Sequence, residues 1–372
     1  MPLSSIDVKR LNRINLYRAV LREDSVSRND LASMLGLSLP TVSQNVKDLL
    51  EKGLIREIGT LASTGGRKAG ALSPLANARV ALGVDITRNH VCLAAVNLKG
   101  ELLVHRRSQT KFENKTEYYK DLAKNLESFV DENELSEIPV VGVGMSLPGI
   151  ISEDGATLLN SHILSITKPL WIDMPWRFKV PTRLFKDALA ACRAEQWPDT
   201  TPSSFFFLSL SNSVGGALVI DGKILHGDNQ RTGEVGHMCV DTKGLTCYCG
   251  GIGHYDSYGS ALNLAVPGGG RLEGFFGSLL QGNQEFSHIL SAYLDSLALM
   301  VVNLRMCLDL DIVIGGYVGG FLEPFITELR HRVSSLDSFE NNAEYIRLGR
   351  HKMEGAAVGA ALYFIDAFIK TV

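Results

Sequence analysis

Apolar residues recur at helical spacing in the first part of the chain. Over residues 9–22 they are separated by polar residues, arginine and lysine among them, and the apolar positions are Leu11, Ile14, Tyr17, Val20 and Leu21. This period predicts an amphipathic helix. Ser27 is followed three residues later by Asp30, a capping-box pair that opens a second, shorter helix ending at Gly36.

A third helix is predicted to follow at once. Ser38 can cap its start, Pro40 is tolerated in its first turn, and Gly53 ends it. Its buried stripe consists of Val42, Val46, Leu49 and Leu50. Because only Gly36-Leu37-Ser38 joins the second and third helices, the pair is predicted to form a helix-turn-helix.

Several polar residues of the third helix suit the reading of a DNA groove. The candidates are Ser38, Thr41, Ser43, Gln44, Asn45 and Lys47. Glutamine and asparagine can pair with adenine edges, serine and threonine with bases or a phosphate, and lysine with the DNA backbone. The alternative is a solvated helix face, which explains the helix pattern equally well.

The residues after the third helix favour DNA binding. Residues 54–58 alternate like a strand, a glycine-rich basic loop follows over 63–68, and Ala71 and Leu72 continue as a second strand. A strand, a loop and a strand behind a recognition helix make a wing. Arg67 at its tip would enter the minor groove, where the negative potential favours a guanidinium.

Charge separates a basic first part from an acidic remainder. Residues 1–80 carry 12 Lys and Arg against 7 Asp and Glu, whereas the rest carries 25 against 33. This asymmetry indicates a small nucleic-acid-binding domain on a body with another function. A length of 372 residues with 45% hydrophobic content is typical of a soluble protein of two or three domains. We find neither an apolar run of the roughly 18 residues that span a bilayer nor a signal-peptide core, so a cytoplasmic protein is expected.

From residue 81 onward, short apolar strands alternate with longer helices. Strands are predicted at 82–86, 91–96, 140–146, 205–211, 216–220 and 311–314. Helices are predicted at 117–133, 187–197, 284–308 and 354–369. This alternation is typical of an α/β fold.

The segment from Gly233 to Asp256 gathers thiols, imidazoles and carboxylates in the pattern G-E-V-G-H, nine residues, C-Y-C-G-G-I-G-H-Y-D. Zinc prefers thiolate sulfur and imidazole nitrogen in a tetrahedron, which predicts a structural zinc site at His237, Cys247, Cys249 and His254. Glu234 and Asp256 flank these ligands and suit hydrogen bonding to paired sugar hydroxyls. The alternative is a reduced, metal-free cysteine pair with His254 as a loop residue. Four further cysteines are predicted to be buried apolar residues: Cys92, Cys192, Cys239 and Cys307.

The same segment resembles the signature of the ROK family (repressor, open reading frame, kinase), G-E-x-G-H followed by C-x-C-G-x-x-G-C-x-E. This chain has His254 where the family has its third cysteine and Asp256 where the family has its closing glutamate. The first part resembles the winged helix-turn-helix of ROK repressors, which the family's sugar kinases lack. The matching stretches are S-R-N-D-L-A at 27–32, G-L-S-L-P-T-V-S at 36–43, G-L-I at 53–55 and G-G-R-K-A at 65–69. The resemblance implies a winged helix-turn-helix over 1–78 and a two-lobed, actin-like (ribonuclease H-like) sugar-binding domain over 79–372.

The resemblance also implies residues of a sugar-binding cleft between the lobes. The carried-over sugar contacts are Asn160, Asp187, Glu234, His237 and Asp256, with His237 serving the metal and the sugar together. Asp187 matches the catalytic base of the kinases and would here accept a hydrogen bond from a sugar hydroxyl; a helix N-cap is the alternative. Lys186 stands where relatives have asparagine. It would pair either with an anionic group of the effector or with Asp187 or Glu234.

Two loops differ from the phosphate-binding loops of ROK kinases. Where the kinases have D-x-G-G-T this chain has D-I-T-R-N at 85–89, so Thr87 and Arg88 replace both glycines and crowd the phosphate. Where the kinases have G-T-G-I-G-G-G this chain has S-N-S-V-G-G-A at 211–217. The resemblance therefore implies a sugar-responsive repressor without kinase activity, bound to double-stranded DNA as a homodimer or tetramer. The rival hypotheses are an active sugar kinase fused to a DNA-binding head and a sugar-dependent activator.

Overall fold

Three helices and a small sheet form the N-terminal head, residues 5–74 of the computed structural model. The helices are α1 (Ser5–Arg22), α2 (Arg28–Leu35) and α3 (Leu39–Glu51), and the strands are β1 (Val26–Ser27), β2 (Ile55–Thr60) and β3 (Gly70–Pro74). The strands pair antiparallel in the order β1-β3-β2. The predicted winged helix-turn-helix is confirmed. The structure describes residues 5–60, 70–172, 174, 176, 179–197 and 203–372, so the predicted wing tip with Arg67 lies outside the described residues.

Local signals set the ends of the head's helices. Ser27 and Asp30 form the expected capping box at the start of α2, and Gly36 closes that helix with φ of 61°, a conformation that favours glycine. Ser38 caps α3 by accepting a hydrogen bond from the backbone N–H of Thr41. The buried faces of α1 and α3 share one hydrophobic core.

The first lobe of the body is built on a five-stranded sheet. Its strands are β4 (Val80–Ile86), β5 (His90–Asn97), β6 (Leu102–Gln109), β7 (Val140–Leu147) and, after three short strands, β11 (Thr182–Lys186). The short strands are β8 (Ile150–Ile151), β9 (Thr157–Asn160) and β10 (Leu170–Trp171), which form a sheet of their own. The main sheet has the order β11-β7-β4-β5-β6, antiparallel from β4 to β6 and parallel from β4 to β11. Helix α4 (Thr116–Glu132) packs on one face of it.

The second lobe repeats this topology. Helix α5 (Asp187–Gln196) leads from β11 toward the strands β12 (Phe205–Leu210), β13 (Val214–Ile220), β14 (Lys223–Leu225), β15 (Asp311–Gly315) and β16 (Ile346–Leu348). Their order is β14-β13-β12-β15-β16, again antiparallel on one side of the first strand and parallel on the other. Such a duplicated sheet is the predicted actin-like body, and the α/β fold class is confirmed.

Helices between the strands complete the second lobe. They are α6 (Asp256–Gly259), α7 (Leu262–Ala265), α8 (Leu272–Leu280), α9 (Gln284–Leu308), α10 (Gly316–Gly319) and α11 (Ile326–Leu336). Helix α9 is long and apolar enough to cross a membrane, but half of its most apolar stretch is buried inside the protein. Its Leu294, Leu297 and Val301 belong to the core that also contains strand residues of the second sheet. The apolar character of α9 is therefore accounted for by packing.

The last helix, α12 (Gly355–Ile369), joins the body to the head. It lies so close to its neighbours that a Cβ on Gly83 would come within 1.9 Å of the Ala357 carbonyl oxygen. A Cβ on Gly359 would likewise come within 1.6 Å of the carbonyl oxygen of Ala190 in α5. The far end of α12 shares a hydrophobic core with α1. One helix thus contacts the first sheet, α5 and the head.

The prediction for the cysteines outside the metal segment is half wrong. Cys92 and Cys192 are buried, but Cys239 and Cys307 are exposed. Cys239 lies on the loop before the C-Y-C motif, where its Sγ is 3.6 Å from the carbonyl oxygen of Ile252. Cys307 is next to the last residue of α9, outside the buried residues of that helix.

Candidate functional site

A cavity of about 340 Å³ opens between the two lobes. This volume is within the range of small-molecule sites. The first lobe contributes the ends of β9 and β11, and the second contributes the start of β13 and the loop after β14. The polar side chains that line it are Asn160, Ser161, His162, Lys186, Asp187, Ser209, Ser213, Arg231, Glu234, His237 and Tyr248.

Four of the five predicted sugar contacts line this cavity, namely Asn160, Asp187, Glu234 and His237. Asp256 does not. It is 3% exposed, and its Oδ2 accepts a hydrogen bond from the backbone N–H of Val214 at 2.8 Å. Burial raises the pKa of Asp256 to about 7. The short side chain of Asp256 thus supports the first residue of β13, behind the cavity wall, and this position disfavours the predicted sugar contact.

Asp187 is the first residue of α5, immediately after β11. Its Oδ1 accepts a hydrogen bond from the backbone N–H of Ala188 at 2.8 Å, so the carboxylate also binds the start of its own helix. Burial raises the pKa of Asp187 to about 6, although the Lys186 ammonium opposes the shift. A carboxylate with this pKa is largely ionised at neutral pH and can accept a hydrogen bond from a hydroxyl.

Lys186 forms a salt bridge across the cavity. Its Nζ donates a hydrogen bond to Glu234 Oε1 at 2.6 Å, and the lysine side chain is 9% exposed. Lys186 ends β11 of the first lobe, whereas Glu234 follows β14 of the second lobe. Of the two hypotheses for Lys186, the structure contains the salt bridge to Glu234.

The four predicted metal ligands meet beside the cavity. One donor atom from each of His237, Cys247, Cys249 and His254 lies within 4.8 Å of all the others. The Nδ1 atoms of His237 and His254 are 3.4 Å apart. Cys249 Sγ is 3.2 Å from His254 Nδ1. Ligand atoms of a tetrahedral zinc ion are about 3.3 to 3.8 Å apart. The geometry and the donor set fit a metal ion, and we call these four residues the metal cluster.

Gly253 sets the turn before His254, and His237 connects the metal cluster to the cavity. Gly253 has φ of 67°, and a Cβ there would lie 1.5 Å from the Asp241 carbonyl oxygen, so the turn before His254 requires glycine. His237 directs Nδ1 toward the metal cluster and Nε2 toward the cavity, where Nε2 is 3.4 Å from the Tyr248 hydroxyl. Burial lowers the pKa of His237, which favours the neutral imidazole.

Six polar residues of the cavity were not among the predicted site residues: Ser161, His162, Ser209, Ser213, Arg231 and Tyr248. The rings of Tyr248 and His237 are 5.7 Å apart, with a tilt of 67°. A signal for Tyr248 existed, because it lies between the two cysteines of the C-Y-C motif and must follow them into the site. The chain positions of His162 and Arg231 carry no comparable signal.

A second contact between the lobes involves Asp85. The Tyr317 hydroxyl, from α10 of the second lobe, donates to Asp85 Oδ2 at 3.4 Å, and the Ser146 hydroxyl donates to Asp85 Oδ1. The Arg107 guanidinium lies 5.3 Å above the centre of the Tyr317 ring. Burial raises the pKa of Asp85 to about 7. This aspartate begins the D-I-T-R-N stretch at 85–89.

The polar face of α3 differs from the prediction at one residue. Ser38, Ser43, Gln44 and Lys47 are exposed and Thr41 is half-buried, as a groove-reading face requires. Asn45 is 7% exposed and donates a hydrogen bond to the carbonyl oxygen of Thr41 at 2.8 Å. The amide of Asn45 is thus used inside the head, and a DNA contact by Asn45 stays a prediction that its burial disfavours.

A winged helix-turn-helix joined to an actin-like body with a polar interlobe cavity defines a class of protein, and comparison with known proteins agrees. Residues 81–367 match the ROK family, and residues 10–56 match a winged helix-turn-helix DNA-binding family. The chain belongs to the ROK family.

Named transcriptional regulators are among the similar proteins. The xylose repressor of Bacillus spizizenii is 27% identical over 262 residues, which cover 68% of this chain and 66% of that protein. The DNA-binding transcriptional dual regulator NagC of Escherichia coli is 25% identical over 262 residues, which cover 70% of this chain and 64% of that protein. The chain thus matches about two thirds of the length of each. The crystal structure of a ROK family transcriptional regulator, a homologue of the E. coli MLC protein, has a TM-score of 0.71 and 18% identity, covering 98% of this chain and 97% of that one.

Proposed function

We propose that this protein is a transcriptional repressor that binds an operator in double-stranded DNA and responds to a sugar. The observation that carries the proposal is the combination of an exposed recognition helix, α3, with a polar cavity of small-molecule size in the attached body. Two regulators with names of this kind are similar over about two thirds of this chain. Acting on DNA, the protein would work in the cytoplasm, as a homodimer or tetramer.

The cavity suits a ligand with several hydroxyl groups. Asp187 and Glu234 carry carboxylate oxygens that accept hydrogen bonds, and the Asn160 side chain can both accept and donate. His237 and Tyr248 add ring surface against which the apolar face of a sugar can pack. Asp187, Glu234, His237 and Asn160 are therefore the proposed sugar contacts.

Zinc is the metal that the metal cluster would hold. Two thiolates and two imidazoles form a donor set typical of structural zinc sites. The ion would cross-link the loop that contains His237 to the C-Y-C turn. His237 would then present its Nε2 to the cavity in a fixed orientation.

Kinase activity is not part of the proposal. By the resemblance to ROK kinases, Thr87 and Arg88 replace two glycines of a phosphate-binding loop. The contact between Tyr317 and Asp85 bridges the lobes next to these residues. A kinase fused to a DNA-binding head is the second candidate. Its support is Asp187, which retains a carboxylate at the position of the kinase base, with a pKa raised to about 6.

Sugar binding would act through the relative position of the two lobes. Operator half-sites are spaced by about one helical turn or a multiple of it, so a small rotation within a dimer is enough to weaken binding to DNA. The sugar must bind the conformation with low operator affinity more tightly. A tenfold release requires about 1.4 kcal/mol of differential affinity.

Fluorescence anisotropy on DNA from upstream of the protein's own gene and neighbouring sugar genes tests the proposal. It would be measured with and without pools of neutral and of phosphorylated monosaccharides. Tight binding that one pool relieves is the expected result, and Asp187→Asn is expected to bind DNA without responding to that pool. Tighter binding in the presence of a pool would instead indicate sugar-dependent retention on DNA. Absence of specific binding in every condition contradicts the proposal, and release of ADP with the same pools would then support the kinase.

A further inference from the structure

Arg13 of α1 lies where the head, the recognition helix and the body meet. Its Nε donates a hydrogen bond to the backbone oxygen of Val372, beyond the end of α12, at 2.8 Å. Its Nη1 donates to Asp48 Oδ2 on α3 at 3.1 Å. The side chains of Arg13 and Asp48 are 24% and 28% exposed. The planar guanidinium therefore holds an acceptor of the body and an acceptor of the recognition helix at the same time.

Asp48 connects Arg13 to Gln44, which lies one turn earlier on α3. Asp48 Oδ1 accepts a hydrogen bond from Gln44 Nε2 at 2.9 Å, while Oδ2 is used by Arg13. An ionised carboxylate only accepts hydrogen bonds, so it fixes which end of the Gln44 amide is the NH₂ group. A glutamine that reads adenine must offer its donor and its acceptor in a defined order.

The body-side end of this chain of contacts leads back to the cavity. Helix α12 packs against α5 with the close approach of Gly359 to Ala190, and α5 begins with Asp187. Because backbone meets backbone there, a displacement of α5 cannot be absorbed by flexible side chains. It would be transmitted along α12 toward Val372.

We propose that Arg13 is a positioning residue that orients Gln44 for base reading through Asp48 and makes that orientation depend on α12 of the body. The inference rests on the proposed function, because it assumes operator binding by α3. It adds to that function a route by which movement in the body alters the reading of one base pair. The route requires no separation of the head from the body.

The chain supplies matched controls for Arg13. Arg10, also on α1, donates hydrogen bonds to the Lys370 carbonyl oxygen at 2.6 and 3.2 Å, and Arg18 pairs with Asp366 at 2.8 Å. These contacts link α1 to α12 and to Lys370, the residue that follows its last turn. Arg10→Ala and Arg18→Ala therefore weaken the attachment of the head to the body and leave the pair between Arg13 and Asp48 in place.

The test is fluorescence anisotropy with the full chain on its operator and on operators in which each base pair of a half-site is replaced in turn. Wild type is expected to discriminate on the order of tenfold or more at the position that Gln44 reads. Arg13→Ala and Asp48→Asn are expected to lose most of that discrimination at that position alone. Arg13→Lys, which cannot hold both acceptors in one plane, is expected to retain part of it. Arg10→Ala and Arg18→Ala are expected to discriminate like wild type.

A chain truncated after Lys370 tests whether discrimination at this base pair depends on the body. The truncation removes the Val372 oxygen that accepts from Arg13. The truncation is expected to reduce discrimination at the same base pair and to add little to Arg13→Ala in a double-mutant cycle. Thermal melting identifies any variant that fails to fold; Asp48→Asn, which preserves the size of the side chain, then carries the test. Unchanged discrimination in folded Arg13→Ala and Asp48→Asn overturns the inference alone. Failure of the wild type to bind any operator overturns the proposed function and the inference together.

Discussion

Lys186 and Glu234 form an ion pair that joins the two lobes across the cavity, with 2.6 Å between Nζ and Oε1. The lysine is almost completely buried, so its charge is stabilised chiefly by this partner. Both residues line the proposed sugar site, and a ligand that donates a hydroxyl to Glu234 must share this carboxylate with Lys186. The contact between the lobes and the proposed binding of a sugar therefore involve the same carboxylate, that of Glu234.

Replacement of Lys186 by methionine should destabilise the protein. The variant keeps the apolar stem but leaves the half-buried Glu234 without its charged partner, so we expect a loss of about 1 to 3 kcal/mol in the free energy of unfolding, measured with urea at pH 7.5. The control is Lys115→Met. Lys115 and Glu113 pair at 2.9 Å on the surface, where both side chains are largely exposed, and little change is expected. Equal effects in the two variants would contradict the structural role of Lys186.

Sugar affinity should depend on pH through Asp187. Burial raises the pKa of this carboxyl to about 6, and only the ionised form accepts hydrogen bonds with both oxygens. Affinity for the sugar identified by the anisotropy screen should therefore fall as the pH is lowered from 7.5 through 6 to 5. Titration calorimetry at these pH values checks it. Asp187→Asn should bind more weakly and lose this part of the pH dependence; a pH profile identical to that of wild type would exclude Asp187 as the acceptor.

Much of the fold could be predicted from local pattern. The helices predicted at 117–133, 187–197, 284–308 and 354–369 agree with α4, α5, α9 and α12 within one residue at each end. Apolar period and caps determine such elements. Strand β6 was not predicted, since it is half-exposed along most of its length and contains few consecutive apolar residues. The three short strands of the first lobe are also too brief to produce a period.

The site was predicted less completely because side-chain reach depends on tertiary structure. Asp256 lies close in sequence to the metal cluster, yet its carboxylate contacts a backbone N–H of β13. The burial of Asn45, by contrast, could have been predicted from helical spacing alone. Positions 42, 45, 46 and 49 share one helix face, and all four are buried. The prediction for Asn45 followed the polar character of asparagine and not its position on the helix.

Asn45 should contribute to the stability of the head and Gln44 to DNA reading. Asn45→Ala removes a buried amide that binds the Thr41 carbonyl, which should lower the free energy of unfolding by about 1 kcal/mol. Gln44→Ala, one residue away and exposed, should leave stability almost unchanged and weaken operator binding. Urea unfolding and anisotropy on the same preparations separate the two effects. A stable Asn45→Ala protein with reduced discrimination at one base pair would restore Asn45 as a DNA contact.

The metal cluster should bind one zinc ion per chain. Cys249→Ser replaces one of four donors and should reduce the bound zinc measured by mass spectrometry, with a lower melting temperature. Cys239→Ser is the matched control, because Cys239 is an exposed cysteine of the same loop outside the metal cluster. Chelation should lower the melting temperature of wild type and Cys239→Ser but have little effect on Cys249→Ser. Equal metal content in the two variants would contradict the assignment.

Asp85 should make the protein less stable as the pH rises. Its pKa is about 7 in the folded chain and 3.8 for an unperturbed side chain, so the folded state holds the proton more tightly between these values. The contribution of Asp85 to stability therefore falls from about pH 4 to pH 7 and then levels off. Asp85→Asn removes this penalty and retains an oxygen that can accept from the Ser146 hydroxyl.

Urea unfolding at pH 5 and pH 8 measures the effect. The variant should gain stability relative to wild type, and the gain should be larger at pH 8. Asp154→Asn serves as the control, since the Ser152 hydroxyl and the backbone N–H of Ala156 lower the pKa of Asp154, which reverses the sign of its contribution. A gain that is equal at both pH values would mean that Asp85 titrates near its ordinary pKa. In that case the contact with Tyr317 would join the lobes without an energetic penalty at neutral pH.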